Sequence, residues 1–337
     1  MKKMMKRLLK RTLLLLTAFL LFAGMTGCSG DAAVGEETGT HPVDSVLEED
    51  TTAETEPVIP LLPTAVPTAE QIENHEKILL WPEDNIPYLI EDDEKGLMPT
   101  IRAYLCEGAD AAVVIFPGGG YFQLSDESEG VAVAEAYNAE GFSAFVVNYR
   151  YEPYDGRATL ADGTRAIQYV RYFADTFGIA PDKIAVCGFS AGGHLAVMTA
   201  QHPAENIVGD EAGAVRSAPD ACILAYPVTT LGDGTYETMP RIFLADNRDN
   251  ADEIAKYSYP YNLAAMPSTF VFYSDLDTTV DFEKNSIALY KAMTDAGLDA
   301  EIKAYTDAPH GVGLGTQYDA FSGWLGDSVT FLRAHGY

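Results

Sequence analysis

The stretch Ile184–Ala196 constrains the fold more tightly than any other part of this 337-residue chain. Ile184 to Cys187 reads as a short buried strand, and Ala191 onward, with Leu195, Ala196, Val197 and Met198, reads as a helix. Between them, Gly188-Phe189-Ser190-Ala191-Gly192 carries the Gly-x-Ser-x-Gly pattern of a sharp strand-to-helix turn that lifts a serine hydroxyl above a sheet. A Cβ at 188 or 192 is expected to collide with the serine's strained backbone, so both positions call for glycine. The same turn leaves the Ala191 N–H unpaired at a helix N-terminus, where its partial positive charge suits an oxyanion. A second serine, in Gly141-Phe142-Ser143-Ala144-Phe145, lacks the second glycine and runs on into a strand-like segment, so it does not compete.

Phe116-Pro117-Gly118-Gly119-Gly120-Tyr121 follows another apolar strand. Three glycines there let backbone N–H groups approach an anion closely, and the Gly119–Gly120 region is expected to complete an oxyanion hole with Ala191. A phosphate-binding loop fits poorly. No Gly-Lys-Ser/Thr follows, and Gln123 stands where a dinucleotide loop needs its third glycine.

A serine hydroxyl becomes a useful nucleophile only when an imidazole accepts its proton, and a carboxylate must hold that imidazole. Four histidines lie downstream. His194 is one helical turn beyond Ser190, too constrained to reach back to it. His202 closes that helix, and His335 stands two residues from the end of the sequence. His310, in Ala308-Pro309-His310-Gly311 after the last strand-like run, is the candidate base. For the acid, Asp275 and Asp277 both follow the Thr269–Tyr273 run; the Asp-x-x-Val spacing to Val280 favours Asp277, leaving Asp275 to cap a turn or the next helix.

Residues 1–27 are a targeting segment: a basic start with Lys2, Lys3, Lys6, Arg7, Lys10 and Arg11, then the apolar run Leu13–Ala23. Its end, Met25-Thr26-Gly27-Cys28, resembles a bacterial lipoprotein processing site. That makes Cys28 the expected lipid attachment residue and places the protein on the outer face of a bacterial membrane; Met25 departs from the usual leucine, and cleavage without lipidation would give a secreted protein. Residues 28–69, rich in Asp, Glu, Thr, Pro and Gly, read as a disordered acidic tether. The chain has a formal net charge of −28, which becomes −34 once the leader's six cations are removed. Such a surface excludes nucleic acid as a partner and leaves the lipid anchor as the membrane contact. Cys106, Cys187 and Cys222 sit in or at the end of apolar runs without metal-ligand spacing, which predicts buried thiols, no disulfide and no metal site.

Residues 70–337 suit one α/β domain. Strands are expected at 101–105, 112–116, 143–148, 184–187, 221–226, 269–273 and 301–305, and helices at 128–140, 160–177, 191–201, 282–296 and 318–334. The alternation predicts a mostly parallel central sheet with helices on both faces, the first runs pairing antiparallel. The segments 206–220 and 229–262 read as loops that shape the rim of a site.

Pro117-Gly118-Gly119-Gly120-Tyr121, Val147-Asn148-Tyr149-Arg150, Gly188–His194, Ala225-Tyr226-Pro227, Asp277-x-x-Val280 and Pro309-His310-Gly311 occur in one order. In that order they resemble the α/β-hydrolase esterases related to hormone-sensitive lipase, above all the bacterial acetyl-xylan-esterase-like and feruloyl-esterase-like carbohydrate esterases. The resemblance spans about residues 76–335. It implies an α/β-hydrolase fold, a Ser190–His310–Asp277 triad, no cofactor, and an acylated carbohydrate or other small ester as substrate. Related sequences often carry His-Thr before a pair of adjacent acids where this chain has Tyr273-Ser274-Asp275-Leu276-Asp277. Two other readings stand beside it: a non-catalytic glycan-binding lipoprotein on a hydrolase fold, and a serine peptidase of that fold, which usually carries a large gating domain.

Overall fold

The computed structural model of the protein describes residues 64–204, 206–236 and 238–337. The leader, Cys28 and the tether up to residue 63 lie outside them. Residues 64–69 already belong to the domain: Thr64 is buried and its hydroxyl donates to Asp210, so the packed chain includes the end of the segment expected as tether.

Among the described residues, eight strands form one sheet: β1 (Ile78–Leu79), β2 (Thr100–Tyr104), β3 (Ala112–Phe116), β4 (Ser143–Asn148), β5 (Ile184–Phe189), β6 (Ala221–Ala225), β7 (Ser268–Ser274) and β8 (Ala300–Tyr305), in the order β1-β2-β4-β3-β5-β6-β7-β8. The β1/β2 and β2/β4 pairs are antiparallel and the others parallel. β2 therefore pairs with β4, not with β3 beside it in sequence as the short connection suggested. A parallel β3/β4 pair connected by a helix occupies that edge of β3 instead. The two-residue β1 is too short to leave a periodic signal.

β3, β5 and β6 are buried along their whole length, which is why they read as unbroken apolar runs rather than alternating ones. The longer helices among the described residues cover the sheet: α1 (Ala132–Ala139), α2 (Gly156–Tyr172), α3 (Ala191–Gln201), α4 (Ala288–Asp295) and α5 (Trp324–Ala334). Strand alternation sorts them onto two faces. Val114, Val186, Leu224 and Val271 meet Ile167 and Val170 of α2, Leu195 and Val197 of α3 and Met293 of α4. Val113, Ile115, Cys187, Ile223 and Phe272 meet Val133 and Tyr137 of α1 and Trp324 and Leu332 of α5. Each such aliphatic side chain, fully buried, contributes about 1.5–3 kcal/mol of transfer free energy.

Two expected helices begin as π-helical turns, Asp126–Val131 before α1 and Glu283–Ile287 before α4. α2 starts four residues earlier than expected, because the Asp155 carboxylate caps it by accepting from the Arg157 N–H. Cys187 and Cys222 are buried as expected. Cys106 is only half-buried, since β2 ends at Tyr104 and the chain turns out to solvent.

Candidate active site

Ser190 stands where β5 passes into α3, with φ 51° and ψ −113°. A β-carbon residue pays for that conformation in strain, and three backbone hydrogen bonds hold it: the Ser190 N–H donates to the Ala225 carbonyl (3.0 Å), and its own carbonyl accepts from Val228 (3.0 Å) and His194 (3.2 Å). The flanking glycines have a different reason from the one expected. A Cβ on Gly188 would strike the Gly192 carbonyl, and one on Gly192 would strike the carbonyls of Phe116 and Pro117 at the end of β3. Gly192 thus lets the α3 N-terminus close onto the strand that carries the glycine loop.

The Ser190 hydroxyl donates to His310 Nε2 (2.8 Å), and His310 Nδ1 donates to Asp277 Oδ2 (2.6 Å). The carboxylate can only accept, so the proton sits on Nδ1 and leaves Nε2 as the acceptor. The other Asp277 oxygen accepts from the N–H groups of Thr279 (2.8 Å) and Val280 (3.0 Å). That is the physical content of the Asp-x-x-Val spacing: one oxygen folds the turn while the other faces the imidazole. Asp275 is exposed and lies outside this chain of bonds. Its side chain caps neither the turn nor the next helix; Asp277 does the first, and Asp281 does the second by accepting from Glu283 and Lys284.

After β3, Gly119 (φ 129°), Gly120 (φ 62°) and Tyr121 (φ 63°) all take left-handed conformations, which turn the loop over the end of the sheet. The Gly118 N–H donates to Glu129 Oε2 (2.8 Å), whereas those of Gly119 and Gly120 have no partner among the described residues. Ala191, the first residue of α3, likewise has no intrahelical acceptor for its N–H. Ser190 is only 9% exposed, so a carbonyl brought to its hydroxyl would leave most of its water behind.

The remaining histidines are occupied elsewhere. His194 Nε2 donates to the Tyr257 carbonyl (2.8 Å), so Nδ1 accepts from the buried Tyr121 hydroxyl (2.8 Å). Burial pushes the His194 pKa down to about 4, and the ring stays neutral while tying the glycine loop to α3. His202 Nε2 donates to the Lys256 carbonyl, and His335 bridges the Phe331 carbonyl and Asp299.

Two supports of the site had no role assigned from the sequence, although Tyr149 stands in one of the motifs that carry the resemblance. The Tyr149 hydroxyl donates to the Pro117 carbonyl (2.5 Å), steadying the peptide ahead of the glycines. Glu129 lies in an acidic run, Asp126-Glu127-Ser128-Glu129, that looks like the solvated first turn of a helix, yet it is buried.

Residues 104–293 match the BD-FAE family. The chain belongs to that family. BD-FAE proteins are esterases related to hormone-sensitive lipase, and the mostly parallel eight-stranded sheet is the α/β-hydrolase fold. Among curated relatives of this BD-FAE protein, the acetylxylan esterase of Xylanibacter ruminicola is 30% identical over 251 residues, 73% of this chain and 49% of that protein. Endo-1,4-beta-xylanase B of Butyrivibrio fibrisolvens is 28% identical over 258 residues, 73% of this chain and 39% of that protein. The chain thus spans less than half the length of either. Among solved structures, an acetyl ester-xyloside bifunctional hydrolase from Caldicellulosiruptor lactoaceticus aligns with a TM-score of 0.73 at 30% identity, covering 78% of this chain and 97% of that one. A thermophilic esterase from Thermogutta terrifontis, bound to propionate, aligns at 0.60 and 25% identity, covering 79% and 96%.

Proposed function

We propose that this BD-FAE protein is a serine esterase that removes acetyl or related acyl groups from carbohydrate such as xylan. The observation that carries the mechanism is the unbroken chain from Ser190 through His310 to Asp277, next to three open backbone N–H groups. Ser190 attacks the ester carbonyl as His310 Nε2 takes its proton, and Asp277 stabilises the imidazolium. The tetrahedral oxyanion is held by the N–H groups of Ala191, Gly119 and Gly120. His310 then protonates the leaving alcohol, and a water activated by the same imidazole releases the acid and restores Ser190. The chemistry needs only these groups.

The carbohydrate assignment is supported by the acetylxylan esterase and acetyl ester-xyloside hydrolase among the similar proteins. The leader and its Thr26-Gly27-Cys28 end support attachment by lipid at Cys28 on the outer face of the membrane. Acetate release from acetylated xylan, set against feruloylated oligosaccharides and p-nitrophenyl acetate, tests the substrate class. No release from any acetylated glycan, with the aryl ester still turned over, would keep the esterase and remove the carbohydrate. Intact-mass analysis of the mature protein and of Cys28→Ala tests the anchor; an unmodified wild-type protein would refute it.

A further inference from the structure

Glu129 is a buried carboxylate near Ser190 that the mechanism above leaves unused. It sits on the π-helical turn Asp126–Val131, 2% exposed, and no lysine or arginine pairs with it among the described residues. Such turns recur at functional sites, because the extra residue swings a side chain out of helical register. Here it swings inward. Gly130 lies so close to β4 that a Cβ there would stand 2.8 Å from Val146 Cγ1.

The two carboxylate oxygens reach opposite sides of the site. Oε2 accepts from the Gly118 N–H (2.8 Å), the peptide that leads into Gly119 and Gly120. A Cβ on Gly118 would lie 2.7 Å from that same oxygen and 3.1 Å from Ser190 Cβ, which fixes how near the carboxylate is to the nucleophile. Oε1 accepts from the Tyr226 hydroxyl (2.6 Å), which in turn accepts from the Gly313 N–H (3.0 Å), three residues past His310. The Tyr226 ring packs edge-on against the His310 ring, with centroids 4.8 Å apart. Tyr226 itself is held at φ 35°, just after β6.

We infer that Glu129 is a positioning residue for ester hydrolysis, orienting the oxyanion loop through Gly118 and the His310 loop through Tyr226 and Gly313. This rests on the esterase reading above. A carboxylate suits the place because both neighbours are donors and it can only accept, so neither contact can reverse. A glutamine can keep the Gly118 bond only by aiming its amide N–H at the Tyr226 oxygen, which reverses that bond and leaves the Tyr226 proton without its acceptor. Burial pushes the Glu129 pKa up, while the bonds from Tyr226 and Gly118 and the nearby His310 hold it back.

The test is steady-state turnover of p-nitrophenyl acetate by the wild type, Ser190→Ala, Glu129→Gln, Tyr226→Phe and the double variant, with thermal melts. Misplacing the oxyanion donors and the base should lower kcat of Glu129→Gln by about 10- to 100-fold while KM stays within about threefold. Tyr226→Phe, which keeps the ring, should lose about tenfold in kcat. The double variant should be no worse than the poorer single one, because the two act as a unit. Unchanged kcat per folded molecule in either single variant, or fully additive losses, would overturn the inference; Tyr226→Phe decides it if Glu129→Gln does not fold. A wild type no more active than Ser190→Ala would instead end the esterase reading, and this inference with it.

Discussion

Two buried polar networks, one anchored on α2 and one around Ser190, are built on opposite terms. In the first, Arg150 and Asp162 are fully buried: the Arg150 N–H, Nε and Nη2 groups all donate to Asp162, Nη1 donates to the Pro87 carbonyl, and Trp81 Nε1 gives Asp162 a further bond. Arg165 grips Asp210 through both guanidinium arms and holds the Leu80 carbonyl, while Gly213 and Thr64 complete Asp210. Every oxygen is used. These clamps fasten residues 64–97, which have almost no regular structure, to α2 and the loop after α3. In the second network, around Ser190, one acceptor nitrogen faces one hydroxyl and three N–H groups have no partner among the described residues. The difference separates structure from chemistry: saturated buried charge fixes a chain in place, whereas valence left open at the end of a rigid sheet is available to a reacting carbonyl.

The sharpest test of that contrast is Ser190→Ala, expected to lower kcat on an acetyl ester by about 10⁶-fold with an unchanged thermal melt. A melt lowered in step with activity would mean the serine serves the fold. Asp277→Asn should cost on the order of 10⁴-fold in kcat, since the amide favours the wrong imidazole tautomer. Because Asp277 Oδ1 also folds the turn to Val280, its melt should be measured beside it.

On the other side, Arg165→Met strands the Asp210 charge and should destabilise the protein by about 3–5 kcal/mol in urea unfolding, leaving kcat per folded molecule intact. The double variant Arg165→Met, Asp210→Leu should recover part of that loss, since the Leu80 carbonyl, Gly213 N–H and Thr64 hydroxyl still lose their partners. Burial alone would raise the Asp210 pKa, but the bonds and charge of Arg165 keep it below the usual carboxylate value. Failure of the double variant to recover would show that the pair does more than satisfy itself.

His194, held between the Tyr121 hydroxyl and the Tyr257 carbonyl, gives a pH signature. Its folded pKa is about 4 against 6.5 when exposed, so between those values the unfolded chain binds the extra proton. Stability from this group is complete above pH 6.5 and falls as pH drops to 4, by up to about 3 kcal/mol. His194→Gln should shrink the difference between unfolding free energies measured at pH 7 and pH 4.5 by a comparable amount; an equal difference in the variant would refute the assignment. The smallest effect is expected for Asp275→Asn, within about 0.5 kcal/mol in stability and with normal turnover, because its side chain is exposed and caps nothing. A nearly dead Asp275→Asn would overturn the choice of Asp277.

The sequence by itself determined the elbow, the glycine loop, the order of serine, acid and histidine, and the fully apolar strands. These are legible locally: the elbow is a five-residue pattern whatever contacts demand its glycines, and a strand buried on both faces has no room for polar residues. Ser190, Asp277 and His310 could be singled out because each stands at the end of a strand in a loop with its own spacing rule. The partner of β2, the burial of Glu129 and the destination of Arg150 and Arg165 were decided only by the tertiary structure. A charged side chain carries no local mark of whether it will meet water or a complementary group more than forty residues away, as Arg165 meets Asp210. Burial of charge is permitted only by partners that the packed sheet and helices bring together.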